Sequence, residues 1–213
     1  MKISRAATTI ACRLRLAREP AGRRARRAGL ACFLPDGRLP VVPARDGQLP
    51  VSGPGQALAA YADLSGQSGH PRGDMVVDGR VMPYIGNTGF GFPAGQFAPG
   101  ILAHVGPDGA VRQAPGGLAF PHGMAGTPDG TTLILAKTYP TGSPAFDTTT
   151  DGSLAGQRVW ADLPAGLPDG IAWTPEAPGS PRHPGRSQRP AGQGLAGPPG
   201  TSPHRVQLES LVL

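Results

Sequence analysis

Asp-Gly dipeptides placed between short apolar runs constrain the fold of this chain more than any other feature. Asp-Gly is a strong signal for a tight β-hairpin turn, because that turn needs a positive φ, which glycine adopts without strain. The intervening runs are short and rich in strand formers, as in Leu39–Val42 and Leu133–Ala136. Six such dipeptides lie among them: Asp36-Gly37, Asp46-Gly47, Asp78-Gly79, Asp108-Gly109, Asp129-Gly130 and Asp151-Gly152. The pattern predicts an antiparallel, all-β fold.

These runs and turns recur at a spacing that indicates a repeated unit. Asp36, Asp78 and Asp129 are expected at corresponding hairpin tips, 42 and 51 residues apart. A period of about 40–50 residues with a few strands per unit is typical of a β-propeller blade. Three turn-like words would then lie at one level of the fold and converge on a single site: Gly73-Asp74, Pro121-His122-Gly123 and Pro168-Asp169-Gly170.

Charge and composition divide the chain into three segments. Residues 1–29 hold nine Lys and Arg against one acid, and residues 174–213 are rich in Pro, Gly and Arg. Neither end has the apolar periodicity that a packed core needs, so we expect a basic disordered arm and a disordered tail. The abrupt change at both boundaries suggests a truncated chain or ends that are translated out of frame. The remaining segment, residues 30–173, is expected to form the propeller.

The middle segment also limits the classes of partner. Its acids outnumber its bases, which argues against nucleic-acid binding despite a net charge of +6 for the whole chain. No apolar run approaches the ~20 residues that span a bilayer, so we expect no membrane partner. Cys12 and Cys32 are the two cysteines, too few for a disulfide framework, and a cytoplasmic location is therefore expected.

A series of longer words runs through residues 30–173: Phe33 to Leu39, Tyr61 to Gly66, Gly73 to Gly79, Tyr84 to Phe90, Pro121 to Gly130, Arg158 to Leu163 and Pro168 to Ile171. In order and spacing this series resembles the family of senescence marker protein (regucalcin), gluconolactonase and luciferin-regenerating enzyme. The resemblance implies a six-bladed β-propeller of the lactonase type, of which this chain would supply about three to four blades. It also implies hydrolysis of a sugar or other small lactone with a divalent metal, Ca²⁺, Zn²⁺, Mg²⁺ or Mn²⁺.

The resemblance assigns roles to four side chains. Asp169 matches a metal ligand of the family and is expected to act as general base as well. His122 stands where the family has Asn; a neutral imidazole can still bind a metal, and the alternative is an exposed turn residue. Asp74 and Asn87 match positions near the substrate. Asp74 is alternatively a support for its own turn, and Asn87 either lines the central channel or bonds its own turn.

Several departures from the family pattern bear on structure and catalysis. Gly73 stands where a substrate-contacting Asn is expected, no residue matches a Glu of the first blade, and Lys137 stands where the family tends to have Glu. A cation close to a divalent metal opposes its binding. Prolines also fall in or beside predicted strands, where they are tolerated mainly at edges or bulges: Pro40, Pro43, Pro50, Pro83 and Pro144. Two functions remain open, a lactone hydrolase and an inactive propeller remnant that acts as a binding scaffold.

Overall fold

The protein is described by a computed structural model that covers residues 30–31, 34, 37–42, 47–78, 82–91, 94–114, 118, 121–127, 129–137, 143–161, 168–175, 193–195 and 204–210. The regular structure within these ranges is β throughout. The basic arm predicted for residues 1–29 lies outside them. No helix in the described ranges is long and apolar enough to cross a membrane.

Three four-stranded antiparallel sheets follow one another along the chain, each with its strands in sequence order. The first contains β1 (Leu30–Ala31), β2 (Leu39–Val42), β3 (Gln48–Ser52) and β4 (Leu58–Asp63). The second contains β5 (Arg72–Val77), β6 (Pro83–Asn87), β7 (Leu102–Val105) and β8 (Val111–Gln113). The third contains β9 (Pro121–Gly126), β10 (Thr132–Lys137), β11 (Ser143–Thr148) and β12 (Leu154–Ala161).

A fourth sheet uses residues that the sequence analysis assigned to a disordered tail. It contains β13 (Pro168–Pro175), β14 (Gln193–Leu195) and β15 (His204–Ser210) in the order β13-β15-β14. The expectation of a tail without strands is therefore wrong for β14 and β15. Seven residues of β13 pair with β15 across a long sequence separation, and such pairing leaves little local signal.

The first strands of successive sheets pack against one another. β5 contacts β9, β9 contacts β13, and β1 contacts β5. Each sheet is therefore one blade of a β-propeller, with its first strand innermost. The structure confirms the predicted all-β propeller and supplies four blades, numbered here in chain order, at the upper bound of the three to four expected.

Blade 2 has both faces buried, which explains its continuous apolar strands. Met75 and Val77 of β5 belong to a core shared with blade 1, whereas Val76 belongs to a core shared with blade 3. The same division holds in β6, where Ile85 faces the first core and Tyr84 the second. Alternate side chains of a strand point to opposite faces, so one strand can contribute to two cores.

Two of the five prolines predicted in or beside strands, Pro50 and Pro144, coincide with irregular pairing. The register of β3 against β4 shifts between Leu49 and Pro50, and the register of β11 against β12 shifts between Ser143 and Pro144. A bulge leaves one backbone N–H out of the ladder, and proline has none to offer. The expectation that prolines are tolerated at bulges is confirmed at these two positions.

The two ends of the blades differ in their connections. The end called here the turn end joins β3 to β4, β5 to β6, β7 to β8, β9 to β10 and β11 to β12 by short hairpins. Gly109, Gly130 and Gly152 have positive φ there, as predicted for Asp-Gly tips. The opposite end, called the loop end, is where β5, β9 and β13 begin and where a longer connection joins β6 to β7.

Tyrosines of one blade bond the hairpins of the next at the turn end. The Tyr84 hydroxyl of blade 2 donates to the carbonyl of Gly152 in blade 3 at 2.8 Å, and Tyr61 of blade 1 donates to Gly106 in blade 2 at 2.9 Å. His104 stacks beside Tyr84, with ring centroids 5.0 Å apart, and its Nε2 lies 3.3 Å from Met82 Sδ. Burial of this imidazole lowers the pKa of His104.

Candidate functional site

Each of three innermost strands carries a predicted site position as its second residue at the loop end. Gly73 is second in β5, His122 in β9 and Asp169 in β13. Because β9 contacts both β5 and β13, the three positions lie on neighbouring strands. The words predicted as turns are therefore strand starts, and the propeller geometry brings their backbones to one level.

His122 lies against Gly73 of the neighbouring blade. A Cβ atom added to Gly73 would stand 3.2 Å from His122 Cδ2 and 3.8 Å from Nε2. The imidazole therefore occupies space that a side chain at position 73 would enter, and His122 is partly buried there. The alternative that His122 is an exposed turn residue is wrong, because His122 is partly buried, lies in β9 and packs across the blade junction.

Asp74 bonds its own strand. Its Oδ1 accepts the backbone N–H of Met75 at 2.8 Å, and the residue is partly buried. This contact favours the supporting role over direct substrate contact. Asp74 therefore supports strand β5 and not a turn, because it is the third residue of that strand.

Asn87 holds the connection between β6 and β7. It is only 5% exposed, and its Oδ1 accepts the backbone N–H groups of Gly89 and Ile101, each at 3.1 Å. Two donors use the two lone pairs of an amide oxygen. The geometry therefore favours the structural alternative for Asn87, in which it bonds its own loop, over a place in the lining of the channel.

Asp169 is placed by its backbone alone. It follows Pro168 in β13, and its strand pairs with β15 with a register shift between Pro168 and Gly170. The side chain of Asp169 lies outside the described part of the chain. Its role as metal ligand and general base stays a prediction.

The side chains described so far do not compose a metal site. Among the described residues no group of three His, Cys, Asp or Glu side chains is arranged to hold a metal ion. Lys137, the last residue of β10, is the register partner of Pro121, which precedes His122 in β9. A lysine on that neighbouring strand adds positive charge near the level of the site and works against a bound dication.

The connection between β6 and β7, described at residues 88–91 and 94–101, was not predicted from the sequence. Its two ends lie beside the starts of β5 and β9. Thr88 N–H donates to the carbonyl of Pro71 at 3.0 Å, just before β5, while a Cβ on Gly100 would stand 2.9 Å from Pro121 Cδ. The segment is rich in glycine and phenylalanine. These residues show no periodic pattern from which its structure could have been predicted.

The family model of the SMP-30/gluconolactonase/LRE-like region matches residues 13–177. This chain belongs to that family. The match ends close to the predicted boundary at residue 173 and begins inside the segment predicted as a basic arm. A comparison with curated protein sequences finds no match.

Solved structures of family members share the fold. A gluconolactonase from Xanthomonas campestris is 22% identical with a TM-score of 0.54, covering 66% of this chain and 50% of its own. Regucalcin from Agrobacterium tumefaciens, described as a calcium-binding protein, is 20% identical with a TM-score of 0.54, covering 66% and 48%. A luciferin-regenerating enzyme is 19% identical with a TM-score of 0.53, covering 65% and 48%. The chain thus spans about half the length of each of these relatives.

Proposed function

We propose that the protein is a gluconolactonase-like hydrolase that acts on a sugar or other small lactone at the loop end. The observation that carries the proposal is the placement of Gly73, His122 and Asp169 as second residues of three neighbouring innermost strands. Membership of the SMP-30/gluconolactonase/LRE-like family supports the reaction class.

In the proposed reaction, Asp169 is the general base and His122 binds the lactone. The carboxylate takes a proton from water, and the resulting hydroxide adds to the carbonyl carbon of the lactone. The ring C–O bond then breaks, and the leaving alkoxide takes back a proton to give a hydroxy acid. Gly73 contributes space, because any larger residue would press on the imidazole of His122.

The divalent metal of the family is a separate part of the proposal. The calcium-binding description of the regucalcin relative supports Ca²⁺, and an imidazole ligand would suit Zn²⁺. The described residues do not fit a complete metal site, and we route no step of the reaction through a metal. Whether lactone hydrolysis depends on Ca²⁺, Zn²⁺, Mg²⁺ or Mn²⁺ is therefore to be measured.

The experiment is hydrolysis of D-glucono-δ-lactone by Asp169→Asn, with and without each added metal. A general base typically contributes 10²–10⁴-fold, so we expect a loss of about 100-fold or more. Asp108→Asn is the matched control, because Pro107-Asp108-Gly109 is the same tripeptide at the turn end, where Asp108 accepts the N–H of Ala110 at 3.1 Å. Equal rates in the wild type and Asp169→Asn would reject the assignment.

A second candidate is a binding scaffold without catalysis. It is favoured by the two backbone bonds that occupy Asn87 and by the position of Lys137 beside the strand of His122. This candidate predicts that the folded protein binds none of the four metals in calorimetry and does not accelerate lactone hydrolysis. Retention of a β-type circular dichroism spectrum would show that the chain is folded in that measurement.

A further inference from the structure

A buried histidine lies between blades 2 and 3 at the turn end. His104 belongs to β7, is 3% exposed, and its ring stacks beside that of Tyr84 in β6. A Cβ atom on Gly152, in the hairpin between β11 and β12, would overlap the Nε2 and Cε1 atoms of His104. The imidazole of blade 2 therefore fills the space that the missing side chain of Gly152 leaves in blade 3.

The neutral imidazole suits this position better than the charged one. Nε2 of His104 lies 3.3 Å from Met82 Sδ, and a thioether has no proton to donate, which assigns the proton of the neutral ring to Nε2. A second proton would go to Nδ1 and leave a cation beside a sulfur that is only a weak acceptor. Because burying a charge without a strong partner is costly, protonation favours movement of this ring towards water.

The charged groups around His104 come from three other segments of the chain. Burial has the largest effect and lowers the pKa of His104, and Arg112 of β8 acts in the same direction. Asp78, just after β5, and Asp151, in the hairpin between β11 and β12, favour the imidazolium. Each of these carboxylates already accepts hydrogen bonds from its own hairpin. They therefore reduce the cost of charging the ring without removing it.

The tip of the hairpin between β11 and β12, residues 149–153, is bonded within itself. Thr149 N–H donates to the carbonyl of Ser153 at 2.9 Å, and Gly152 N–H donates to the carbonyl of Thr149 at 3.0 Å. Asp151 accepts from the hydroxyl of Thr149 and from the N–H of Ser153. The Tyr84 hydroxyl bonds this tip to blade 2 by donating to the carbonyl of Gly152 at 2.8 Å. The tip can therefore move as one unit once that bond breaks.

We infer that this contact between blades 2 and 3 is a pH-sensitive switch, in which protonation of His104 moves the tip of residues 149–153 away from Tyr84 and exposes the Tyr84 ring. The open form lets the imidazolium reach water while the strands of both blades stay paired. The switch lies at the end opposite to the candidate site and does not depend on the proposed hydrolysis.

The junction between blades 1 and 2 provides an internal control. There the Tyr61 hydroxyl donates to the carbonyl of Gly106 at 2.9 Å, the same kind of bond across a blade junction. Blade 1, residues 30–63, contains no histidine. A response to pH that comes from His104 should therefore appear at Tyr84 and not at Tyr61.

The experiment measures the access of solvent to the two tyrosine rings by NMR. A soluble gadolinium chelate broadens the signals of exposed rings, and the full chain is compared at about pH 7.5 and about pH 5, on either side of the ordinary imidazole pKa of 6.5. Because the closed form resists the proton, the ratio of open to closed protein should rise by up to roughly 30-fold between these values. We expect broadening of Tyr84 to increase and broadening of Tyr61 to stay constant.

Two variants identify the titrating group. His104→Gln should leave Tyr84 equally protected at both pH values, whereas His70→Gln, which removes an exposed histidine between β4 and β5, should keep the wild-type response. The wild-type comparison of Tyr84 with Tyr61 decides the question should His104→Gln fail to fold. The inference is overturned if Tyr84 is equally protected at both pH values, if Tyr61 responds as strongly, or if His104→Gln keeps the response.

Discussion

The turn end and the loop end of this propeller are built from the same strands but are held together differently. At the turn end, hairpin tips are bonded across blades by Tyr61 and Tyr84, and a buried His104 fills the joint between blades 2 and 3. At the loop end, His122 lies against Gly73, and a longer connection joins β6 to β7. The difference separates the residues that fix the blades from those that could meet a ligand.

A substitution at the turn end should therefore cost stability, and one at the loop end should alter binding. At the turn end, hydrogen bonds to buried carbonyls and closely packed side chains leave no space for a larger side chain. At the loop end, the absence of a side chain on Gly73 leaves room for the imidazole of His122. Gly152→Ala, protonation of His104 and Gly73→Ala test this division, in order of the expected loss of stability.

Gly152→Ala should destabilise the protein most. Gly152 has a φ of +83°, and a Cβ there would overlap the imidazole of His104. The backbone strain and the overlap together predict a loss of about 2–5 kcal/mol in the free energy of unfolding. Chemical denaturation monitored by circular dichroism measures it.

Gly130→Ala is the matched control for that loss. Gly130 stands in an equivalent Asp-Gly tip with a φ of +69°, but a Cβ there meets nothing within 4 Å. Only the backbone strain remains, and we expect a loss of about 1–2 kcal/mol. Equal losses in the two variants would show that contact between blades 2 and 3 at this joint contributes nothing.

Protonation of His104 should weaken the same joint to a smaller extent. Burial lowers the pKa of His104, and Arg112 lowers it further, whereas Asp78 and Asp151 act in the opposite direction. In the unfolded chain the imidazole takes up its proton near pH 6.5, the ordinary pKa of a histidine side chain. Because the folded form resists that proton, the stabilisation is present above pH 6.5 and is lost as the pH falls below it.

The comparison that tests this effect uses His104→Gln, which cannot titrate. The difference in unfolding free energy between the wild type and His104→Gln should shrink as the pH is lowered from above 6.5, where His104 is neutral in both states. A difference that stays constant with pH would mean that His104 has the same pKa in the folded and unfolded chain.

Gly73→Ala should have the smallest effect on stability and a distinct effect on the site. The added methyl would meet His122 Cδ2 at 3.2 Å, so the imidazole must move by a few tenths of an ångström. We expect a stability change within about 1 kcal/mol and a shift in the NMR signals of the His122 ring. Gly126→Ala, where a Cβ meets nothing within 4 Å, should leave those signals unchanged. Unmoved His122 signals in Gly73→Ala would refute the contact.

The fold was predictable where the signal is local. Asp-Gly tips and apolar runs locate hairpins such as β7 with β8, because a tight turn and its two strands lie within a few residues. β15 was missed, although Val206 and Leu208 alternate with polar residues, because its partner β13 ends at residue 175 and 28 residues of low apolar content separate the two strands. Pairing over such a distance is decided by the packed blades and not by the segment itself.

The candidate site was predictable only in part, because the same tripeptide occurs at both ends of the blades. Pro107-Asp108-Gly109 and Pro168-Asp169-Gly170 are the same tripeptide, yet the first forms a turn-end hairpin and the second begins an innermost strand. The spacing of the repeated motifs predicted that Gly73 and His122 lie at the same level of the propeller. The role of Asn87 could not be read from its neighbours, since one of its two donors, Ile101, lies 14 residues further along the chain.

The burial of both faces of blade 2 affects how the protein unfolds. Its strands supply side chains to the cores on both sides, so this blade cannot open without exposing apolar surface towards blade 1 and blade 3 at once. Backbone amides of blade 2 should therefore be among the last to become accessible to solvent, and β5 to β7 should contribute to the cooperativity of unfolding.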